Sequence, residues 1–250
     1  MTQLNIQRWC VWSGIAMMGF FFVGFVVAGF IPPPSPNLSA AEVLRLYQEN
    51  HTSIRVGLLM ANWGAALLVP FTVAIFLLIK RIEGGNSPLA YLQLALGATL
   101  PLLFIVPQQI LLAAAFRTDR SAETIEALND VGWLLFIGLS STPTLQFIVI
   151  GAAILLDRRP DPICPRWCGY FTLWTALAVS PGSTCIFLKT GPIAWNNLFT
   201  WWIPAVAFGI WVPTMTVLIR RDIRRQSAEI AKASTVDSSG AGAVSAPEGA

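Results

Sequence analysis

The sequence predicts an all-α fold, a polytopic transmembrane helical bundle of six spans with both termini cytoplasmic. Three observations predict it. Only 12% of the 250 residues are charged while 55% are hydrophobic, and the mean hydropathy is +0.63; soluble domains carry about 25% charged residues. The charges cluster, leaving apolar runs of the ~20 residues that a roughly 30 Å hydrocarbon core requires. Lys and Arg also fall unevenly between alternate loops.

Six spans are expected, at about 9–31, 56–79, 89–115, 131–156, 167–188 and 198–219. Lipid offers no hydrogen bonds to the backbone, so runs of this length are helices. The first apolar run exceeds the ~7–15 residues of a signal peptide and no small-x-small site ends it, so it is expected to be retained. With the N-terminus inside, eleven Lys/Arg lie on the inner side and five, Arg45, Arg55, Arg117, Arg120 and Lys189, on the outer side. This asymmetry predicts cytoplasmic termini, and the expected location is the cytoplasmic membrane of the cell, as a multi-pass protein. The asymmetry also accounts for the net charge of +3 without a nucleic-acid partner. Residues 1–226 form the expected membrane domain. From 227 to 250 apolar periodicity gives way to Ala, Ser and Gly, which predicts a disordered cytoplasmic tail.

The outer loops hold the stronger helix signals. Ser39-Ala-Ala-Glu42 is a capping box, predicting a helical cap segment over 39–52 that leads into span two, with Asn50 or Thr52–Ser53 as the point of interruption. Asp119 or Ser121 caps a second lead-in over 119–130, whose first-turn acidic groups suit the helix dipole.

At 100° per residue, Tyr47, His51, Arg55 and Asn62 share an arc of about 80° on the second helix. Asn62 lies roughly 10 Å below the outer surface. Gln108 and Gln109 follow Pro107 at similar depth in span three, Ser180-Pro-Gly-Ser-Thr184 interrupts span five, and Asn196 and Asn197 open span six. Polar groups at such depth face a bundle interior or cavity rather than lipid. The expectation is a polar pocket open to the outer face. Its lining is Tyr47, His51, Arg55, Asn62, Gln108, Gln109, Arg117, Asn129, Asp130, Trp133, Trp195 and Asn196, with Glu42 at the rim. Interhelical hydrogen bonding would serve Asn62, Gln108 and Gln109 equally well.

Several chemistries are excluded. There is no HExxH, Walker A, GxGxxG or GxSxG run, and no span centre carries Asp, Glu, Lys or Arg, so a midplane proton or ion relay is not expected. Cys10, Cys164 and Cys168 fall on the inner side with no histidine near them. They read as packing residues in a reducing compartment, and neither metal nor cofactor is expected.

The stretches FRTDRSAETIEALNDVGWLLFIG, PRWCGYFTLWTALAVSPG and KTGPIAWNNLFTWWIPAVAFGIW resemble a group of bacterial six-span integral membrane proteins with no established activity. The resemblance covers most of residues 1–220 and implies topology, with no catalytic residues.

The expected function is binding rather than catalysis: a lipophilic or amphipathic small molecule, or a membrane-protein partner, held at the outer pocket, with the lipid bilayer as surroundings. Two alternatives follow from the same residues. One is an intramembrane enzyme on a lipid or terpenoid-like substrate with His51 and Asp130 as acid and base, which requires the two to meet within hydrogen-bond reach or through one water. The other is a transporter built on the broken fifth span.

Overall fold

Prolines mark several of the helix ends. A proline lacks an N–H and its ring strikes the carbonyl of residue i−4, so a straight helix ends or bends about four residues earlier. In the computed structural model, which describes residues 3–117 and 119–243, eight α-helices run in order: α1 Gln3–Val27, α2 Ala40–Ala66, α3 Leu68–Glu83, α4 Pro88–Phe116, α5 Ala122–Gly138, α6 Ser141–Leu155, α7 Arg166–Val179 and α8 Ile203–Ala243. No strand occurs among the described residues. Pro70 stands four residues after Ala66, where α2 gives way to α3. Pro143 stands four residues after Leu139, at the junction of α5 and α6. Pro181 follows the end of α7, and the chain tightens into a 3-10 segment, Ser180–Ile186. Pro204 follows a π-helical turn, Leu198–Trp202.

Five helical stretches are long and apolar enough to cross a membrane: α1, α2 with α3, α4, α5 with α6, and Leu198–Lys232. That is consistent with a multi-pass membrane protein. The expected span over 167–188 is divided between α7, 14 residues long, and the 3-10 segment after it.

The helix starts have local causes. Ser39 accepts from the Glu42 N–H, and the Glu42 carboxylate accepts from the Ser39 N–H at 2.8 Å, closing the box that starts α2. Asn50 departs from helical geometry, with φ −117° and ψ 15°, and bends α2 there. Ser121 caps α5 by accepting from the Thr124 N–H. The tail differs from expectation: the helix continues past 227 to Ala243. Good helix formers, Ala-Glu-Ile-Ala-Lys-Ala over 228–233, extend it. Glu229 ties it back through an ion pair with Arg81 at 2.8 Å. Residues 244–250 lie outside the described residues.

Two apolar cores are stacked along the bundle. One gathers Phe71, Ile75, Phe147, Ile150, Trp211 and Met215; the other gathers Phe25, Phe30, Tyr47, Ile54, Trp133 and Trp201. The first core ends in a polar clasp. Asp222, 2% exposed, pairs with Arg81 at 3.2 Å. Arg159 donates to the Arg81 carbonyl and pairs with buried Asp157. Asp157 in turn accepts the Ile163 N–H at 3.0 Å, shaping the loop before α7. At the other end, Trp195 Nε1 donates to the Pro34 carbonyl at 2.8 Å and Asn37 Nδ2 donates to the Lys189 carbonyl at 3.1 Å, joining the loops after α1 and before α8.

Helices α1 and α2 touch backbone to backbone. A Cβ on Gly24 would lie 2.5 Å from the Gly57 carbonyl oxygen, and a Cβ on Gly57 would strike the Gly24 carbonyl in turn. Small residues at such crossings let helices gain packing where lipid offers no hydrophobic drive. Gly24→Ala is therefore expected to destabilise the bundle by about 1–3 kcal/mol, the usual cost of forcing volume into a packed contact. Gly19→Ala, with open space around it, is expected to leave thermal unfolding in detergent unchanged, so comparing the two melting curves checks the contact.

Candidate functional site

Between the two cores lies a cavity of about 170 Å³. Its walls come from α1, α4, α5, α6, α8, the 3-10 segment and the π-helical turn. Phe104, Phe136 and Phe21 form one aromatic corner with ring centroids 5.3–5.9 Å apart. Phe208 packs on Phe104 and Phe147, and Trp201 stands 6.1 Å from Phe136. The cavity is half-enclosed, and among its lining residues Leu139 and Ala205 are exposed on the outer surface of the bundle. Its mouth is thus lateral and apolar, between helices.

The cavity sits where the helices are broken. Leu139, Ser140 and Pro143 at the α5–α6 junction line it, as do Gly182 of the 3-10 segment and Thr200, Trp201 and Pro204 at the π-helical turn. Broken helices free backbone groups that lipid cannot satisfy, and Ser140 answers this for two breaks together. Its hydroxyl donates to the Ser180 carbonyl at 3.1 Å and accepts from the Ser183 N–H at 3.0 Å. Only glycine fits opposite: a Cβ on Gly182 would lie 2.5 Å from the Ile137 carbonyl oxygen. The Thr200 hydroxyl is likewise committed, donating to the Ala194 carbonyl. Both hydroxyls near the cavity are spent on backbone, so the space offers a ligand shape and apolar contact.

The residues expected to line a polar outer pocket are placed elsewhere, and none of the twelve lines this cavity. Some meet in a buried network across α2 and α5. Tyr47, fully buried, donates from Oη to Asn129 Oδ1 at 3.2 Å, and Asn129 Nδ2 reaches Asp130 Oδ1 at 3.4 Å. Trp133, one turn on, is fully buried, and Gln108 is buried on α4; the Trp133 Nε1 and both Gln108 amide atoms have no hydrogen-bond partner among the described residues. Asn62 reaches from α2 to the Ile105 carbonyl of α4 at 3.5 Å, a weak interhelical bond.

Others stay at the surface. His51 is exposed, with Nδ1 3.2 Å from the Gln48 carbonyl of its own helix. Arg55 and Arg117 are exposed with their guanidinium carbons 5.9 and 6.0 Å from the Phe116 ring centroid. Gln109 is exposed. Trp195 is the loop fastener described above. Asn196 is half-buried, and its Oδ1 lacks a partner among the described residues. Glu42 closes a capping box. The expected acid–base pair has separate partners, His51 its own helix and Asp130 its neighbour Asn129.

Sequence reading passes over Phe21, Phe104, Phe136, Phe147 and Phe208 because isolated phenylalanines in spans look like any lipid-facing or core residue. The usable signal is Pro143, Pro181 and Pro204, three helix breakers in separate spans, with Ser140 and Gly182 beside them.

No family model, curated protein or solved structure matches the chain.

Ser140→Ala is expected to leave the Ser183 N–H and the Ser180 carbonyl without their partner, destabilising the protein by about 1–3 kcal/mol. Amide hydrogen exchange resolved at Ser183 is expected to accelerate, while exchange in α1 is expected to stay as in the wild type.

Proposed function

We propose that the protein is a six-span protein of the cytoplasmic membrane that takes a bulky lipophilic molecule, terpenoid-like or ring-bearing, from the bilayer into the cavity between its two cores. The observation that carries this reading is the cavity: apolar, laterally open and bounded by three helix breaks. An apolar cavity of roughly 150 Å³ in a soluble protein stays dry and admits a benzene-sized group, so about 170 Å³ suits a ring or a branched isoprenoid unit. In a bilayer the hydrophobic effect does not favour such a site, because lipid tails are as apolar as the walls. Occupancy then depends on shape and dispersion contacts, so rigid aromatic walls select a compact or branched group over a linear acyl chain.

Six crossings agree with the geometry of the fifth. Fourteen α-helical residues and seven 3-10 residues span about 35 Å at ~1.5 and ~2.0 Å per residue, enough for a roughly 30 Å core. Gln7 near the start of α1 shares a small crevice with Asp222 and Gln226 of α8, so the N-terminal end of α1 and the distal part of α8 meet at one end. Arg81, Arg159 and Arg225 gather at that end, and by the positive-inside rule it faces the cytoplasm. The catalytic alternative through His51 and Asp130 draws no support from their separate partners.

Native mass spectrometry of protein released from lipid nanodiscs is expected to show one lipophilic adduct distinct from bulk phospholipid. Ala205→Trp, at the mouth, is expected to weaken it at least ~10-fold, about 1.4 kcal/mol, without lowering the melting temperature. A wild-type protein carrying only bulk lipid, or an adduct equally held by Ala205→Trp, would count against the proposal.

A further inference from the structure

Apart from the cavity lining, two buried cysteines and a buried methionine belong to the first core. Cys164 closes the loop before α7, and Cys168 lies in the first turn of α7, where its N–H bonds the Pro165 carbonyl at 2.9 Å. Cys164 stands four residues before Cys168, just ahead of the N-cap Pro165, and both thiols are buried in the same core. From α8, Met215 places its Sδ 3.7 Å from Cys168 Sγ. All three residues are at most 1% exposed and belong to one apolar core. Counting only His and Cys, as the sequence invites, leaves too few ligands; the thioether of Met215, 47 residues away, becomes visible as a third only in the fold.

We propose that Cys164, Cys168 and Met215 form a binding site for a soft monovalent metal ion of the copper(I) or silver(I) type. Soft thiolate and thioether ligands select copper(I) over hard cations. Metal–thiolate bonds run about 2.3 Å, as for zinc, so three sulfurs around one ion in a plane stand about 4 Å apart, near the 3.7 Å separation of Cys168 and Met215. The nearby carboxylates are engaged elsewhere: Asp157 holds the Ile163 N–H and Arg159, and Asp222 holds Arg81 and Gln226. Among the described residues no group of three His, Cys, Asp and Glu is arranged to hold a metal. The site therefore offers sulfur only, which disfavours magnesium or calcium and leaves zinc short of its usual four ligands.

Binding exchanges two thiol protons for one cation: the Cys164 and Cys168 S–H bonds break, two metal–thiolate bonds and one metal–thioether bond form, and two protons leave. No electron is transferred. Because two protons leave on binding, affinity is expected to tighten as pH rises and fewer protons compete.

Full-length protein in detergent, reduced and free of chloride, would be titrated with silver(I). The expected result is one ion per chain held at least tenfold more weakly by Cys164→Ser and by Cys168→Ser, and measurably more weakly by Met215→Leu. Cys10→Ser and Cys185→Ser should bind as the wild type does. X-ray absorption on the wild-type complex needs no variant and should show three sulfurs and no oxygen or nitrogen. Stoichiometry that follows total cysteine, affinity unchanged in Cys164→Ser or Met215→Leu, or an oxygen- or nitrogen-containing shell would each overturn the site.

Discussion

The backbone of a membrane helix has nowhere to hydrogen-bond except within the protein, and this chain repeatedly breaks its helices with proline. Each break releases carbonyls and amides that must be met from inside the bundle. Pro101 frees the Gly97 carbonyl of α4, and Thr72 of α3 donates to it at 3.3 Å. Pro143 and Pro181 open two segments side by side, and one hydroxyl, Ser140, bridges them. Interhelical hydrogen bonds of this kind are worth only a fraction of a kcal/mol to ~2 kcal/mol each. Their larger role is positional, because they fix which broken segments face each other.

That placement explains why the cavity lies where it does. A continuous helix presents an unbroken ridge of side chains that a neighbour can fill. At the α5–α6 junction, the 3-10 segment and the π-helical turn, the ridges stop. The aromatic rings of Phe104, Phe136, Phe147 and Trp201 reach over the gap without closing it. The two cores above and below pack tightly, and the space between them is the one their irregular backbones leave. Because the nearby hydroxyls are committed to the backbone, any occupant meets rings and methyls and is read by shape. The polar cluster of Tyr47, Asn129 and Asp130 serves a different purpose, fastening α2 to α5.

Much of the architecture was legible in the sequence because hydrophobic length and capping chemistry are local. The box at Ser39 and Glu42 can be read within a few residues; the sequence narrows the bend to Asn50 or Thr52–Ser53 and the second cap to Asp119 or Ser121, and the fold uses Asn50 and Ser121. The site was less legible. Angular spacing correctly brings Tyr47 to the inner face of α2, but it places His51 and Arg55 there too, whereas both are exposed. The buried face runs unbroken through the bend, from Val43 and Tyr47 to Ile54, Leu58, Ala61 and Ala65; at 100° per residue His51 and Arg55 stand about 40° and 80° to one side of Tyr47, on its flank. Asn62 takes the interhelical hydrogen-bonding role that its depth left open beside the pocket. The cavity depends on rings from five helices, and Cys168 meets Met215 from 47 residues away; no local pattern announces either. Glu229 shows the same limit for the tail, since its tie to Arg81 spans 148 residues.

The central claim is that the proline breaks, bridged by Ser140, hold open an apolar space that a membrane-derived molecule fills. A cryo-electron microscopy map of the protein in lipid nanodiscs tests it most directly. The account predicts non-protein density of compact or branched outline against Phe104, Phe136, Phe147 and Trp201, entering between Leu139 and Ala205, with Ser140 bridging Ser180 and Ser183. Phe136, Trp201 and Phe208 collapsed together into the space, with α5 and α6 running as one unbroken helix, would contradict it.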